Sequence, residues 1–360
     1  MPFLLPVRSW TTAALALVST LAIGDDTTSE ERTRLVQDTM TRNHIPGIAV
    51  AVTLGGERPW ILTLGQADLE NGVAVSQKTF FRFASVSKPI TATATMKMVE
   101  RGELLLDETV GQAWPEAHDK YRRMTLRHLL CHQSGLRHHQ PIAWNAPLRH
   151  YKTLQSRIDD DSNAETMVPT GERFAYTTFG YTIVGRVMEA ASKDDFAHLV
   201  DRHVFGPAGM KSAQVCDIYT ITPNRASGYF RGIDGRLRNS APFDPSGKRP
   251  GGGLGGTIED LSSFLVELWK GTLLRDSTRQ RMWTPQRLND GSLTDYGLGW
   301  HVSENGSLYE VFHTGSQPQV SSVVLIRPTN SVTVAILCNL EQVNLLGLAR
   351  RLADSVVTAE

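Results

Sequence analysis

Apolar positions recur at helical spacing over Glu30–Asn43, where Leu35, Val36 and Met40 share one face, and this predicts a helix. The unbroken apolar run Ile45–Val52 follows and reads as a buried strand. Gly55-Gly56 turns the chain into a second strand, Trp60–Leu64, so the two form a hairpin. A long helix is predicted from Val86 to Arg101, with Gly102 as its stop signal. Residues 115–250 are rich in His, Pro and Arg, with short helical patterns and few strands. Thr257 and Asp260 then have the spacing of a capping box and open a helix over Leu261–Lys270. Strand character returns in Leu298–Val302, Val320–Ile326 and Val332–Leu337, before a closing helix, Val343–Leu352.

This order implies an α/β (α+β) chain whose sheet is assembled from two distant segments. The sheet lobe is expected over about 25–114 and 257–360, and an inserted helical lobe over about 115–256. The cleft between them is the natural place for a small-molecule or peptide site. Residues 1–24 stand apart. Arg8 is the only charge before Asp25, and the uncharged stretch Ser9–Gly24 is too short and too polar to span a bilayer. Ala22 and Gly24 are the small residues a signal peptidase reads, so a cleaved secretory leader and a secreted or periplasmic protein are expected. The alternatives are a mitochondrial presequence, since acidic residues are absent and hydroxyls frequent, and an uncleaved anchor.

Composition narrows the function. The chain is 41% hydrophobic and 21% charged, which excludes a disordered chain and a polytopic membrane protein. Its 37 basic and 37 acidic side chains balance, so nothing draws it to nucleic acid or to an anionic membrane face. The cysteines, Cys131, Cys216 and Cys338, are odd in number and far apart, which argues against a disulfide framework. Cys338 lies in an apolar run and reads as core.

The strongest chemical signal is Ser85-Val-Ser-Lys88 at the start of the predicted helix, because residues three apart share a helical face. A serine hydroxyl needs an adjacent base, and a lysine serves when burial or a neighbouring cation lowers its pKa. Tyr176 precedes another helix, with Thr178 two positions on. A phenol of lowered pKa there could exchange protons with a serine oxygen or a leaving group. His313, Thr314, Gly315 and Ser316 open the strand-rich tail. A cation, a hydroxyl and a glycine on an edge strand can hold a substrate carboxylate and leave backbone N–H groups for an oxyanion.

Other clusters are weaker. His128 and His132 are four apart, but Leu129 stands where a zincin has glutamate. They read as packing histidines beside the cleft, with no metal. His139, in the loop after Gly135-Leu136, is a candidate substrate-side residue. Gly251–Gly256 lacks the Lys-Ser/Thr of a phosphate loop and reads as close backbone approach at the cleft. Trp144, Trp269, Trp283 and Trp300 read as core or cleft-wall aromatics.

Ser-x-x-Lys, Tyr-x-Thr and His-Thr-Gly, in this order, resemble the serine beta-lactamase and penicillin-binding-protein superfamily. Ile45–Gly47, Phe83–Pro89, Gly102–Asp107, His128–Leu136, Pro169–Gly185 and Gly209-Met210 carry the resemblance along nearly the whole chain. Tyr176–Thr182, Gly251–Gly253, Met282–Pro285, Ser321–Leu325 and Leu337–Asn339 are similar to a mitochondrial subgroup. The resemblance implies a beta-lactamase/transpeptidase-like fold, an antiparallel sheet flanked by helices. It implies Ser85 as nucleophile, Lys88 as general base and Tyr176 as proton shuttle. Thr178, His313, Thr314 and Gly315 would bind substrate, with the backbone N–H groups of Ser85 and Ser316 as oxyanion hole. Superfamily members usually have Asn at the place of Thr178 and Lys at that of His313, so the departures point to a different substrate. The function implied is peptidase-like amide hydrolysis through an acyl-enzyme on a peptide or small amide or ester, without a cofactor. Carboxylesterase, D-amino-acid peptidase and beta-lactamase activities are the enzymatic alternatives. A non-catalytic scaffold for binding or self-assembly, including a homo-oligomer, is the alternative of another kind.

Overall fold

The computed structural model describes residues 21–138, 149–160, 167–305 and 308–357. The first helix, α1 (Leu21–Asn43), starts earlier than its apolar spacing predicts. It leads into β1 (Gly47–Leu54), β2 (Trp60–Asp68) and the two-residue β3 (Val73–Ala74). Helices α2 (Ser87–Glu100), α3 (Thr178–Ser192) and α4 (Ile258–Lys270) come next. Strands β4 (His301–Asn305), β5 (Leu308–Gln317), β6 (Val320–Arg327) and β7 (Val332–Cys338) precede the closing helix α5 (Leu346–Val357).

The strands form one seven-stranded sheet in the order β3-β2-β1-β7-β6-β5-β4, and its pairings are antiparallel. The join of the two distant segments is β1 against β7, in the register Val50↔Ile336. These central strands are apolar on both faces because both faces are covered. Ala49, Ala51, Val324, Ile326, Ala335 and Leu337 pack with Leu261, Phe264 and Leu268 of α4 in one core. Ile48, Val50, Val323, Leu325, Val334 and Ile336 pack with Leu348, Leu352 and Val356 of α5 in the other. The side-chain period of two thus splits each strand between two helical layers.

Other boundaries also differ from the sequence expectations. The apolar stretch Leu298–Val302 becomes a strand only from His301, because Gly299 takes φ +86° and donates from its backbone to the Leu130 carbonyl. Leu298 and Trp300 are buried in the core there, and their apolar character alone could not distinguish that from pairing. The α4 helix begins at Ile258, directly after its Thr257 cap, with the reciprocal Thr257–Asp260 capping box formed. The closing helix is shifted toward the C-terminus. Trp300 stacks on Phe264 and Trp283 is buried, as expected of core aromatics. Trp144 and His139 lie outside the described residues. All three cysteines are free and buried, and burial pushes the Cys338 thiol up to about 12.

Candidate active site

Ser85 sits on a single 3₁₀ turn, Ala84–Val86, that runs directly into α2. Ala84 holds φ at +48°, a left-handed conformation that costs an alanine roughly 1–3 kcal/mol and needs support from its surroundings. Three bonds supply it. The Phe83 backbone donates to the Leu254 carbonyl (2.8 Å), Ser322 Oγ donates to the Phe83 carbonyl (2.7 Å), and the Leu254 N–H donates to Ser87 Oγ (3.1 Å). Ser87 is fully buried by this role, which leaves Ser85 as the serine turned toward the cleft.

Lys88 lies one turn on, completely buried. Its Nζ is 3.2 Å from Ser85 Oγ and donates to Thr178 Oγ1 (3.1 Å) and to the Gly251 carbonyl (2.7 Å). The partners are all uncharged. Burial, reinforced by the positive charge of Lys248, holds its pKa well below the ordinary lysine value. Thr178, expected to face substrate, is turned to this amine instead. It is the first residue of α3, and its own N–H donates to His138 Nδ1 (3.2 Å). Gly251 explains part of the glycine run: a methyl group there would stand 2.7 Å from Thr178 Cγ2.

Tyr176 packs its ring against the Lys88 amine, whose Nζ lies 4.8 Å from the ring centroid. The expectation of a lowered phenol pKa is corrected. Burial raises it, and a hydrogen bond with Ser85 offsets only part of that shift. His132 holds the tyrosine from behind. Its ring centroid is 4.2 Å from that of Tyr176, its carbonyl accepts from the Ala175 N–H (2.7 Å), and its Nδ1 accepts from the Thr177 N–H (3.2 Å). The peptide N–H groups on both sides of Tyr176 are therefore bound to this one histidine. His132 also adopts φ +60° and is enclosed by Phe174, Tyr181 and Tyr296, so burial keeps its ring neutral.

Strand β5 pairs with β4 only as far as Phe312, so His313–Gln317 has a partner on one side, β6. His313 is a correction in kind. The ring is buried; Nδ1–H donates to the Thr314 carbonyl (2.7 Å), and Nε2 accepts from the Tyr296 hydroxyl (2.9 Å). Burial, with His301 and Lys88 nearby, holds its pKa well below the usual histidine value. The expected substrate-binding cation is a neutral, fully partnered ring, because the strand turns it inward toward Tyr176, 6.2 Å away between centroids. Thr314 and Ser316 are exposed on the other face.

Gly315 faces the serine turn. A methyl group on it would stand 2.2 Å from Ser322 Oγ, 2.8 Å from the Phe83 carbonyl oxygen and 3.0 Å from the Ser85 amide nitrogen. Gly315→Ala is therefore expected to push β5 off the turn. Acylation of Ser85 should slow by about 10²-fold, since displacements near 1 Å cost that much, with about 1–3 kcal/mol of overpacking strain. Acylation kinetics and a thermal melt check it together.

His128 is occupied in a capping box with Thr125 and does not converge with His132 on a common point. Among the described residues, Asp194, Asp195 and His198 form a candidate metal group at a helix start, with Asp194 half-buried and the other two exposed. The residues that sequence reasoning did not assign are His138, Tyr296, the Gly251 carbonyl and the positioning role of His132. The nearest signal was the density of histidines and aromatics in 128–139 and 174–181.

The antiparallel sheet, its helical layers and the matched sequence place the chain in the serine beta-lactamase and penicillin-binding-protein superfamily. The profile of the Beta-lactamase family matches residues 32–357, and the chain belongs to that family. It is 26% identical to the mitochondrial serine beta-lactamase-like protein LACTB of Homo sapiens, over 86% of this chain and 76% of that protein. The octameric penicillin-binding protein homologue from Pyrococcus abyssi shares the fold with a TM-score of 0.79 at 22% identity, over 92% of this chain and 77% of that one. D-amino acid amidase from Ochrobactrum anthropi SV3, complexed with D-phenylalanine, gives the same TM-score and identity, over 92% and 98%.

Proposed function

We propose that this protein is a serine hydrolase that cleaves an amide by acyl transfer. The observation that carries the reading is the buried Lys88 Nζ, 3.2 Å from Ser85 Oγ and surrounded by neutral acceptors. A neutral amine there donates two N–H bonds, to Gly251 and Thr178, and keeps its lone pair for the serine proton. Ser85 Oγ adds to the substrate carbonyl as Lys88 takes that proton. The developing oxyanion is held by the N–H groups of Ser85 and Ser316. The neutral Tyr176 phenol gives its proton to the leaving nitrogen and recovers one from Lys88. Water then adds to the acyl-enzyme along the reverse proton path, releasing the acid and free Ser85.

Peptides and amino-acid amides are the substrate class, a reading supported by the fold shared with the amidase. Carboxylesters are a second substrate class, since the same attack cleaves them. The cleft lies between a sheet lobe, 25–114 and 257–360, and a helical lobe, 115–256. A cleaved leader and a secreted, periplasmic or mitochondrial setting complete the reading. Among the described residues no helix is long and apolar enough to cross a membrane. The octameric homologue makes a homo-oligomer part of the same reading.

A neutral fluorophosphonate followed by peptide mapping tests the assignment. One adduct is expected, on the peptide carrying Ser85. An adduct on Ser87 would move the nucleophile from Ser85, and a protein that resists the reagent at every pH would support a binding scaffold instead.

A further inference from the structure

The cation missing at His313 has a counterpart across the cleft. Lys248 ends a 3₁₀ turn that leads into the short helix Arg249–Gly252, whose Gly251 carbonyl accepts from Lys88. Gln317 is two residues beyond Gly315 on the same face of β5, and Gly315 lies against the Ser85 amide. The two side chains meet at Gly252. A point one Cβ bond out from Gly252 lies 3.4 Å from Gln317 Oε1, 3.5 Å from Lys248 Cδ and 3.7 Å from Lys248 Cε.

Both side chains lack the partners that their chemistry calls for. The Gln317 side chain is buried, at 7% exposure, and its Nε2 has no hydrogen-bond partner among the described residues. Lys248 makes no ion pair or hydrogen bond there either. Its Nζ lies 4.4 Å from the centroid of the Phe243 ring, which Arg82 flanks at 5.6 Å while donating to the Phe243 carbonyl. The nearby Asp244 carboxylate is taken by His150 Nδ1 (2.9 Å) and the Ser246 N–H (2.8 Å). A buried amide donor beside a lysine with no anion is an unfilled requirement.

We propose that Lys248 and Gln317 form a carboxylate-binding subsite next to Ser85, which takes the free carboxylate of a peptide or amino-acid substrate. One carboxylate oxygen receives the ammonium and the other the amide N–H, both directed donors to an acceptor-only group. Burial and the charge of Arg82 push the Lys248 pKa down to about 8, so the side chain is mostly cationic at neutral pH. An arriving carboxylate supplies the counter-charge that Lys248 lacks. This deepens the acyl-transfer reading and rests on it for the name of the substrate.

Binding is measured by calorimetry at pH 7 on the Ser85→Ala protein, which cannot turn the ligand over. The probes are an N-acetyl dipeptide with a free C-terminal carboxylate and its C-terminal amide, each in L and D forms. The carboxylate is expected to bind about tenfold or more tightly than its amide in at least one configuration. Adding Lys248→Met should erase the difference, Lys248→Arg should keep it, and Gln317→Met should reduce it several-fold. An unchanged preference in Lys248→Met, equal affinity for acid and amide, or no binding of either would overturn the proposal. Fluorophosphonate mapping on the unsubstituted protein reports separately on Ser85. Loss of that label with the carboxylate preference intact removes the catalytic reading and leaves the subsite standing.

Discussion

Lys88→Met is expected to slow acylation of Ser85 by about 10²–10⁴-fold, the range for loss of a positioned base, and to leave the fold at least as stable as before. The two results come from one fact. Lys88 is fully buried with uncharged partners, and its pKa lies well below that of an exposed lysine. In the unfolded chain it keeps the ordinary value near 10.4. Between the two values the unfolded state holds a proton that the folded state does not, so stability rises with pH across that window. Lys248, lowered to about 8, acts with the same sign. At neutral pH the lysine therefore weakens the fold, and a methionine of similar volume removes that penalty. The advantage of Lys88→Met should shrink as pH approaches 10, and the slope of stability against pH should fall without vanishing, because Lys248 remains.

The rate of the unsubstituted protein should rise with pH through the lowered pKa of Lys88. No descending limb should come from His313, which is neutral throughout that range. Stopped-flow acylation and urea melts at several pH values measure both effects. A Lys88→Met protein that acylates at the original rate, or that melts far below the parent at pH 7, contradicts the assignment of Lys88 as a buried neutral base.

How much of this could be read from the chain depends on how far apart the partners lie in sequence. Ser85 and Lys88 share one helical turn, so their meeting follows from spacing alone, and the capping pair Thr257–Asp260 was equally local. The β1–β7 join was legible only as two apolar runs at opposite ends. Its register depends on two helical layers, α4 and α5, filling both faces. Residue type at position 313 was plain, but its charge was not. Neutrality comes from burial, reinforced by His301 and Lys88 nearby, and none of these leaves a mark beside His313 in the sequence. The Leu298–Trp300 stretch has the hydrophobicity of a strand and the backbone of a turn, because Gly299 takes φ +86° while the core still claims its side chains. Lys248 and Gln317 are 69 positions apart and have no motif in common.

His132→Ala is expected to cost about 10²-fold in acylation rate, the scale for a misplaced catalytic group, and His132→Asn to recover most of it. The histidine contributes nothing to Ser85 directly. It binds the N–H groups of Ala175 and Thr177 on either side of Tyr176, one with its carbonyl and one with Nδ1, and it stacks on the tyrosine ring. Alanine leaves the buried Thr177 N–H without an acceptor, a loss of about 1–3 kcal/mol, and frees the ring to move. It also places a residue poorly suited to φ +60° at this turn, where asparagine and histidine are tolerated. Asparagine keeps that conformation and brings a side-chain oxygen toward the same N–H. A merely structural role would lower the melting temperature of both variants in step with their rates. The positioning role predicts that stabilising the alanine variant with an osmolyte restores its melting temperature and not its rate. It also predicts that a substrate with a good leaving group, which needs little help from Tyr176, loses far less than an amide. Equal losses for both substrates in His132→Ala would place the histidine outside the proton path.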